Sequence, residues 1–199
     1  MKDIDMNEEQ TRKEKIDKLL ALVDWDVKNI SKVRVEIDTK QSNFTKRNYL
    51  TYSDTFENEE TSRYADYILL DKKGEPLAII EAKRTSKDPL VGKKQAEQYA
   101  EDIFKQTGKS VFIFLTNGYE TWFWNWNSPK PYDNMRMVSG FMGQGELEKR
   151  QWQNENKEDL SQIPINNKIV DRAYQHEAVR KTLEAIDKGK RKMLLVQAT

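Results

Sequence analysis

The sequence predicts an α/β fold, and three observations predict it. An amphipathic stretch opens the chain, apolar runs of strand length follow in pairs, and a second amphipathic stretch separates the pairs. Residues 7–23, NEEQTRKEKIDKLLALV, place Ile16, Leu19, Leu20 and Val23 at helical spacing with charges between them, so one stripe of a helix packs on a core. KVRVEID and NYLTY then alternate over short pieces, and SDTFENEETSR is a loop-like run of turn formers and acids. RYADYILL and EPLAIIEAKR read as two strands joined by the tight turn DKKG. DPLVGKKQAEQYAEDIFKQTGK begins at an Asp-Pro signal, carries Ala96, Tyr99, Ala100 and Ile103 at helical spacing, and stops at Gly108. SVFIFLTNGYETWFWNWN supplies two more strands around Asn117-Gly118, a strong hairpin cue. The predicted domain covers residues 1–130.

Beyond Pro131 the composition shifts. MVSGFMGQGELEKRQWQNENKEDLSQ is rich in Gly, Gln, Asn, Glu and Lys, which predicts a poorly packed connector over 131–167 with room for one short helix. From residue 168 the sequence predicts a helix through Ala178, Leu183 and Ile186, a basic turn KGKRK and an apolar strand MLLVQ. A strand with no covering helix is an incomplete βα unit, so the chain reads as a fragment of a longer polypeptide.

The 199 residues, 37% hydrophobic, are enough for one core. Lys and Arg number 34 against 33 Asp and Glu, so bulk charge indicates no polyanionic partner and any nucleic-acid site must be local. The absence of cysteine excludes a disulfide framework, thiolate zinc and a Cys nucleophile. The single histidine, His176, excludes a His-cluster metal site and makes any Ser-His-Asp triad depend on that position. No export signal or membrane-spanning segment is legible, and the expectation is a cytoplasmic protein. Enzymatic chemistry in such a chain would rest on carboxylates, lysine and a hard metal.

In LAIIEAKR the two-residue period of a strand sends Leu77, Ile79, Glu81 and Lys83 to one face. A turn centred on Lys73 and Gly74 sets Asp66 opposite Glu81. Two carboxylates held together repel unless a cation neutralises them, and a hard divalent ion prefers such oxygens. An adjacent Lys83 holds or polarises a water, which outlines metal-assisted phosphodiester hydrolysis. The bland alternative is a solvated strand edge with a surface ion pair. Gln95 and Tyr99 lie four apart on one helix face, able to look back on the carboxylates. Lys83, Arg84, Lys87, Lys93 and Lys94 face only one nearby acid, Asp88, a local positive charge suited to a phosphate backbone.

Glu9 in NEEQTR, Asp66 in YADY, Glu81-Ala-Lys83 in IIEAKR and Gln95-x-x-x-Tyr99 together resemble the PD-(D/E)xK nuclease superfamily, in the branch with a QxxxY helix. The N-terminal nuclease domain of the type I restriction enzyme R subunit matches best, over about residues 8–125. Position 65 is Ala rather than the Pro of the superfamily's name, which removes no ligand. The resemblance implies a restriction-endonuclease-like core, a mixed β-sheet flanked by helices, followed by a linker and the start of a translocase domain. It implies Mg2+ or Mn2+ held by Asp66, Glu81 and the Ala82 carbonyl, with Lys83 as water-orienting base or electrostatic stabiliser. Glu9, chosen over its neighbour Glu8 for helical phase, is the N-terminal acid. Gln95 and Tyr99 position DNA or support the site. RAYQHEAV and LLVQAT resemble the start of a superfamily 2 translocase, with Gln175 an adenine reader in the full-length motor; the Walker A loop does not occur in these residues, so ATP belongs to the full-length protein. The implied partners are double-stranded DNA and the methylation and specificity subunits of a restriction-modification complex. Two alternatives remain: a noncatalytic coupling module, and the nuclease domain of another helicase-nuclease repair system.

Three other features take structural assignments. Trp122, Phe123, Trp124 and Trp126 alternate as a core face would; His176 is a solvated neighbour of Gln175; and KGKRK is a solvated turn.

Overall fold

The computed structural model describes residues 5–38, 64–128, 134–190 and 192–196. Six strands form one mixed sheet in sequence order: β1 (Val33–Asp38), β2 (Tyr64–Leu70), β3 (Pro76–Ala82), β4 (Phe112–Thr116), β5 (Thr121–Trp124) and β6 (Arg136–Val138). All neighbours are antiparallel except β3 and β4. That parallel pair requires a crossover, which helix α2 (Lys93–Thr107) provides after a 3-10 turn at Pro89–Gly92. The opening helix α1 runs through Glu8–Thr11, a π-helical stretch Arg12–Ile16, and Asp17–Ala21. Helices α3 (Gln144–Glu155) and α4 (Ala173–Asp187) follow the sheet. The expected α/β fold is therefore a mixed six-stranded sheet with flanking helices. No helix among the described residues is long and apolar enough to cross a membrane.

The β2–β3 hairpin sets the register on which the site depends. Asp71 Oδ1 accepts hydrogen bonds from the amides of Lys73 and Glu75, both at 2.8 Å, and closes the turn. Tyr67 then pairs with Ile80, Ile68 with Ile79 and Leu69 with Ala78, with a bulge at Leu69/Leu70. Continuing this register brings Asp66 level with Glu81, as the turn chemistry predicts. β3 is buried along its whole length, because β2 and β4 flank it and helices cover both faces.

One face of the sheet carries Tyr67, Leu69, Ile80, Phe114 and Phe123 against Ile16, Leu20 and Trp25. The other carries Ile68, Ile79, Ile113 and Leu115 against Ala96, Tyr99, Ala100 and Ile103 of α2. Each large side chain so buried contributes about 1.5–3 kcal/mol. The tryptophan run behaves as its alternation predicts: Phe123 enters the first cluster, while Trp122, Trp124 and Trp126 pack on the second.

The loose connector expected over 131–167 is a misreading of residues 134–155. β6 pairs with β5, placing Val138 beside Thr121, and Phe141, Met142 and Leu147 join the first core cluster. Trp25 Nε1 donates a 2.9 Å hydrogen bond to the Met142 carbonyl. Composition misleads here because α3 is polar on every side but one, and a few apolar residues suffice to anchor it. The strand expected at MLLVQ does not form over residues 192–196, where Leu194 and Val196 are exposed; a strand requires a neighbour to complete its hydrogen bonds, and none flanks this segment among the described residues. His176 is not merely solvated, since its Nε2 lies 2.7 Å from the Val170 carbonyl. NYLTY, SDTFENEETSR and the end of LLVQAT lie outside the described residues, as does Arg191 within KGKRK.

Leu147 is fully buried, so Leu147→Ala should cost about 2–5 kcal/mol of stability in urea titration. A loose connector would lose nothing measurable.

Candidate functional site

Asp66 stands on β2, Glu81 near the end of β3, and Lys83 one residue beyond that strand. Lys83 Nζ donates to Glu81 Oε1 at 2.6 Å. Asp66 Oδ2 accepts the Ala82 amide at 2.7 Å, and its Oδ1 accepts from the Arg12 guanidinium at 3.1 Å. Glu81 is only 2% exposed, and its second oxygen, Oε2, is buried with no hydrogen-bond partner. Burial first, and then the negative charge of Asp66, push the Glu81 carboxyl up to about 7. Burial also raises Asp66, against the Ala82 amide and the charges of Arg12 and Lys83. Burial alone would lower Lys83, but its hydrogen bond to Glu81 and the Glu81 charge outweigh this and leave it raised.

The supporting residues lock this cluster from three sides. Lys83 Nζ also reaches Gln95 Oε1 at 3.4 Å, and the Gln95 amide donates to the Tyr99 hydroxyl, with Tyr99 on the buried face of α2. Gln95 and Tyr99 thus form the outer end of a chain running from Glu81 through Lys83. Gly92 closes a second side: a Cβ there would lie 2.6 Å from Glu81 Cγ and 3.3 Å from Lys83 Cε. Asn117 closes the third, accepting the Tyr119 and Glu120 amides and donating to the Lys87 carbonyl at 2.9 Å, which ties down the loop after Lys83. Thr85 in that loop accepts the Met6 amide at 2.8 Å, anchoring the start of α1 beside the site.

Of the residues expected here, Asp66, Glu81, Ala82, Lys83, Gln95 and Tyr99 come together. Glu9 does not. It is exposed and paired with Lys13 at 2.6 Å, whereas the charge of Glu8 acts on Asp66, Glu81 and Lys83 alike. The cause is the π-helical stretch at Arg12–Ile16. A π turn takes about one more residue than an α turn, so the phase counted back from Ile16 slips by one and gives Glu8 the direction assigned to Glu9. Gln175 Oε1 accepts the Arg172 amide at 3.4 Å and caps the start of α4. Arg12, Gly92 and Asn117 were not anticipated. Gly92 had one legible signal, a glycine just ahead of the QxxxY helix.

Residues 5–132 match the family described as the type I restriction enzyme R protein N terminus. The chain belongs to this family. A curated relative, the endonuclease subunit of the type I restriction enzyme EcoAI from Escherichia coli, is 27% identical over an aligned length of 187, with 88% of this chain and 21% of that protein covered. A solved fragment described as an HsdR subunit of a type I restriction enzyme from Vibrio vulnificus YJ016 shares the fold, with a TM-score of 0.57 and 23% identity over 94% of this chain and 34% of that one. The chain therefore spans about a fifth of the curated relative's length.

In this R-protein N-terminal domain the donor chemistry fits a hard divalent cation. Two carboxylates converge, one oxygen of Glu81 has no partner, and Ala82, whose amide Asp66 accepts, ends the strand beside them. No group of three or more His, Asp or Glu side chains that could hold a metal gathers among the described residues. Magnesium does not require one, since it is commonly held by one or two carboxylates together with water and substrate phosphate.

Two outcomes follow for the apo domain. Because the folded carboxyl of Glu81 sits near 7 against an ordinary 4.5, its contribution to stability is complete below pH 4.5 and is lost as pH rises through 7. Glu81→Gln should therefore be more stable than wild type at pH 8, by up to roughly 3 kcal/mol, and the gap should close by pH 5 in denaturant titrations with chelator. Gly92→Ala forces a Cβ into Glu81 and should cost about 1–3 kcal/mol in the same assay.

Proposed function

We propose that this domain is the magnesium-dependent DNA-cleaving domain of a type I restriction R subunit, with a restriction-endonuclease-like core. The observation that carries the reading is the pairing of half-buried Asp66 with buried Glu81, with Lys83 on one Glu81 oxygen and no partner on the other. A cation of this kind supplies charge that stabilises a developing phosphorane and lowers the pKa of a water. Asp66, Glu81 and the Ala82 carbonyl would hold magnesium, or manganese in its place. Lys83, fixed by Glu81 and Gln95, is aimed to orient the attacking water or to stabilise charge at the scissile phosphate. Gln95 and Tyr99 act through Lys83. Exposed Arg84, Lys87, Lys93 and Lys94 flank the site in sequence and suit sequence-independent contact with the phosphate backbone of double-stranded DNA.

The carboxylates, lysine and backbone groups at the site suit phosphate rather than base contacts, as expected of a nuclease whose target is chosen by specificity and methylation subunits of the same complex. In the full-length protein, residues 168–199 would open an ATP-driven translocase, in which Gln175 contacts the adenine. The Arg12–Asp66 ion pair also suits the second reading, a noncatalytic coupling module whose acids are merely structural.

Lys83→Ala and Glu81→Ala in the assembled complex should each lower DNA cleavage by about 10²–10³-fold while ATP hydrolysis continues. Cleavage unchanged in both variants would favour the coupling module.

A further inference from the structure

Asp66 is already occupied by a cation of the protein's own. The Arg12 guanidinium lies 3.1 Å from Oδ1, and the two side chains are only 16% and 20% exposed, so the pair is shielded from the screening that weakens surface ion pairs. Arg12 is the first residue of the π-helical stretch, and single π turns inside helices occur frequently at functional sites. The other Asp66 oxygen takes the Ala82 amide. A divalent ion bound by Asp66 and Glu81 must therefore share Asp66 with Arg12 or move it away, and two positive centres on one carboxylate repel each other.

We infer that Arg12 is a positioning residue that stands in for the cation: it holds Asp66 beside Glu81 in the metal-free domain and yields when the ion binds, so that loading the site is an exchange of cations. This rests on the nuclease-site reading above. Arg12 sets how much divalent ion the site requires. Loading couples the carboxylates to α1, the element that also carries Glu8.

The test measures manganese affinity by calorimetry, and melting temperature in chelator, on the 199-residue chain and its Arg12→Gln, Arg12→Lys and Asp66→Asn variants. Arg12→Gln should melt lower than wild type in chelator yet bind manganese roughly tenfold tighter, because one repelling charge is gone. Arg12→Lys, with a shorter reach and no planar fork, should fall between the two and bind about two- to threefold tighter. It decides the matter alone should Arg12→Gln fail to fold. A merely structural arginine would lower stability and affinity together, so affinity equal to or below wild type in the Arg12 variants overturns the inference. Asp66→Asn should abolish binding. Wild-type affinity in Asp66→Asn would instead remove the nuclease-site reading itself.

Discussion

Asp66 and Glu81 are held level across a hairpin whose inner strand is buried along its length, and two carboxylates so placed are unfavourable unless positive charge is brought to them. Much of the surrounding structure supplies or fixes that charge. Lys83 lies against Glu81 and is steadied by Gln95 and Tyr99 from the crossover helix. Arg12 reaches Asp66 from the opening helix, which Met6 and Thr85 moor to the loop after Lys83. One Glu81 oxygen remains without a partner, and burial leaves that carboxyl near neutrality in its titration. The protein's own cations thus reach two of the four carboxylate oxygens, the Ala82 amide takes a third, and Glu81 Oε2 has no partner.

The fold encloses this cluster closely. β3 and β4 are parallel, so the chain must cross over between them, and the crossover begins with the 3-10 turn whose Gly92 presses on Glu81 and Lys83. The β4–β5 loop closes against the opening helix: Gly118 adopts φ +83°, and a Cβ there would stand 2.8 Å from Lys15 Cβ. The two acids are thereby framed by backbone on several sides, while the basic residues after Lys83 remain exposed.

Much of this was legible in the sequence, for identifiable reasons. DKKG is a turn with its own side-chain cap, so the hairpin register, and with it the meeting of Asp66 and Glu81, followed from local chemistry. The crossover helix was bounded by Asp88 and Gly108 and patterned by its apolar stripe. Glu9 was wrong because periodicity assumes an unbroken α-helix, and nothing in EEQTRKEKI announces a π turn. Arg12 and Asn117 act through contacts distant in sequence, 54 residues for Arg12 with Asp66 and 30 for Asn117 with Lys87, which local pattern does not encode. The packed stretch 134–155 was hidden by its polar composition, since Phe141, Met142 and Leu147 anchor it without forming a visible period.

We propose the Asp66–Glu81 pair as a divalent cation site. Diffraction from crystals of the domain soaked in manganese, with anomalous differences collected at the metal's edge, tests it most directly. The expected result is a peak at the Asp66 and Glu81 carboxylates, with the Arg12 guanidinium displaced from Oδ1. An anomalous map with no peak there at saturating manganese, and with the Arg12–Asp66 pair unchanged, would contradict it.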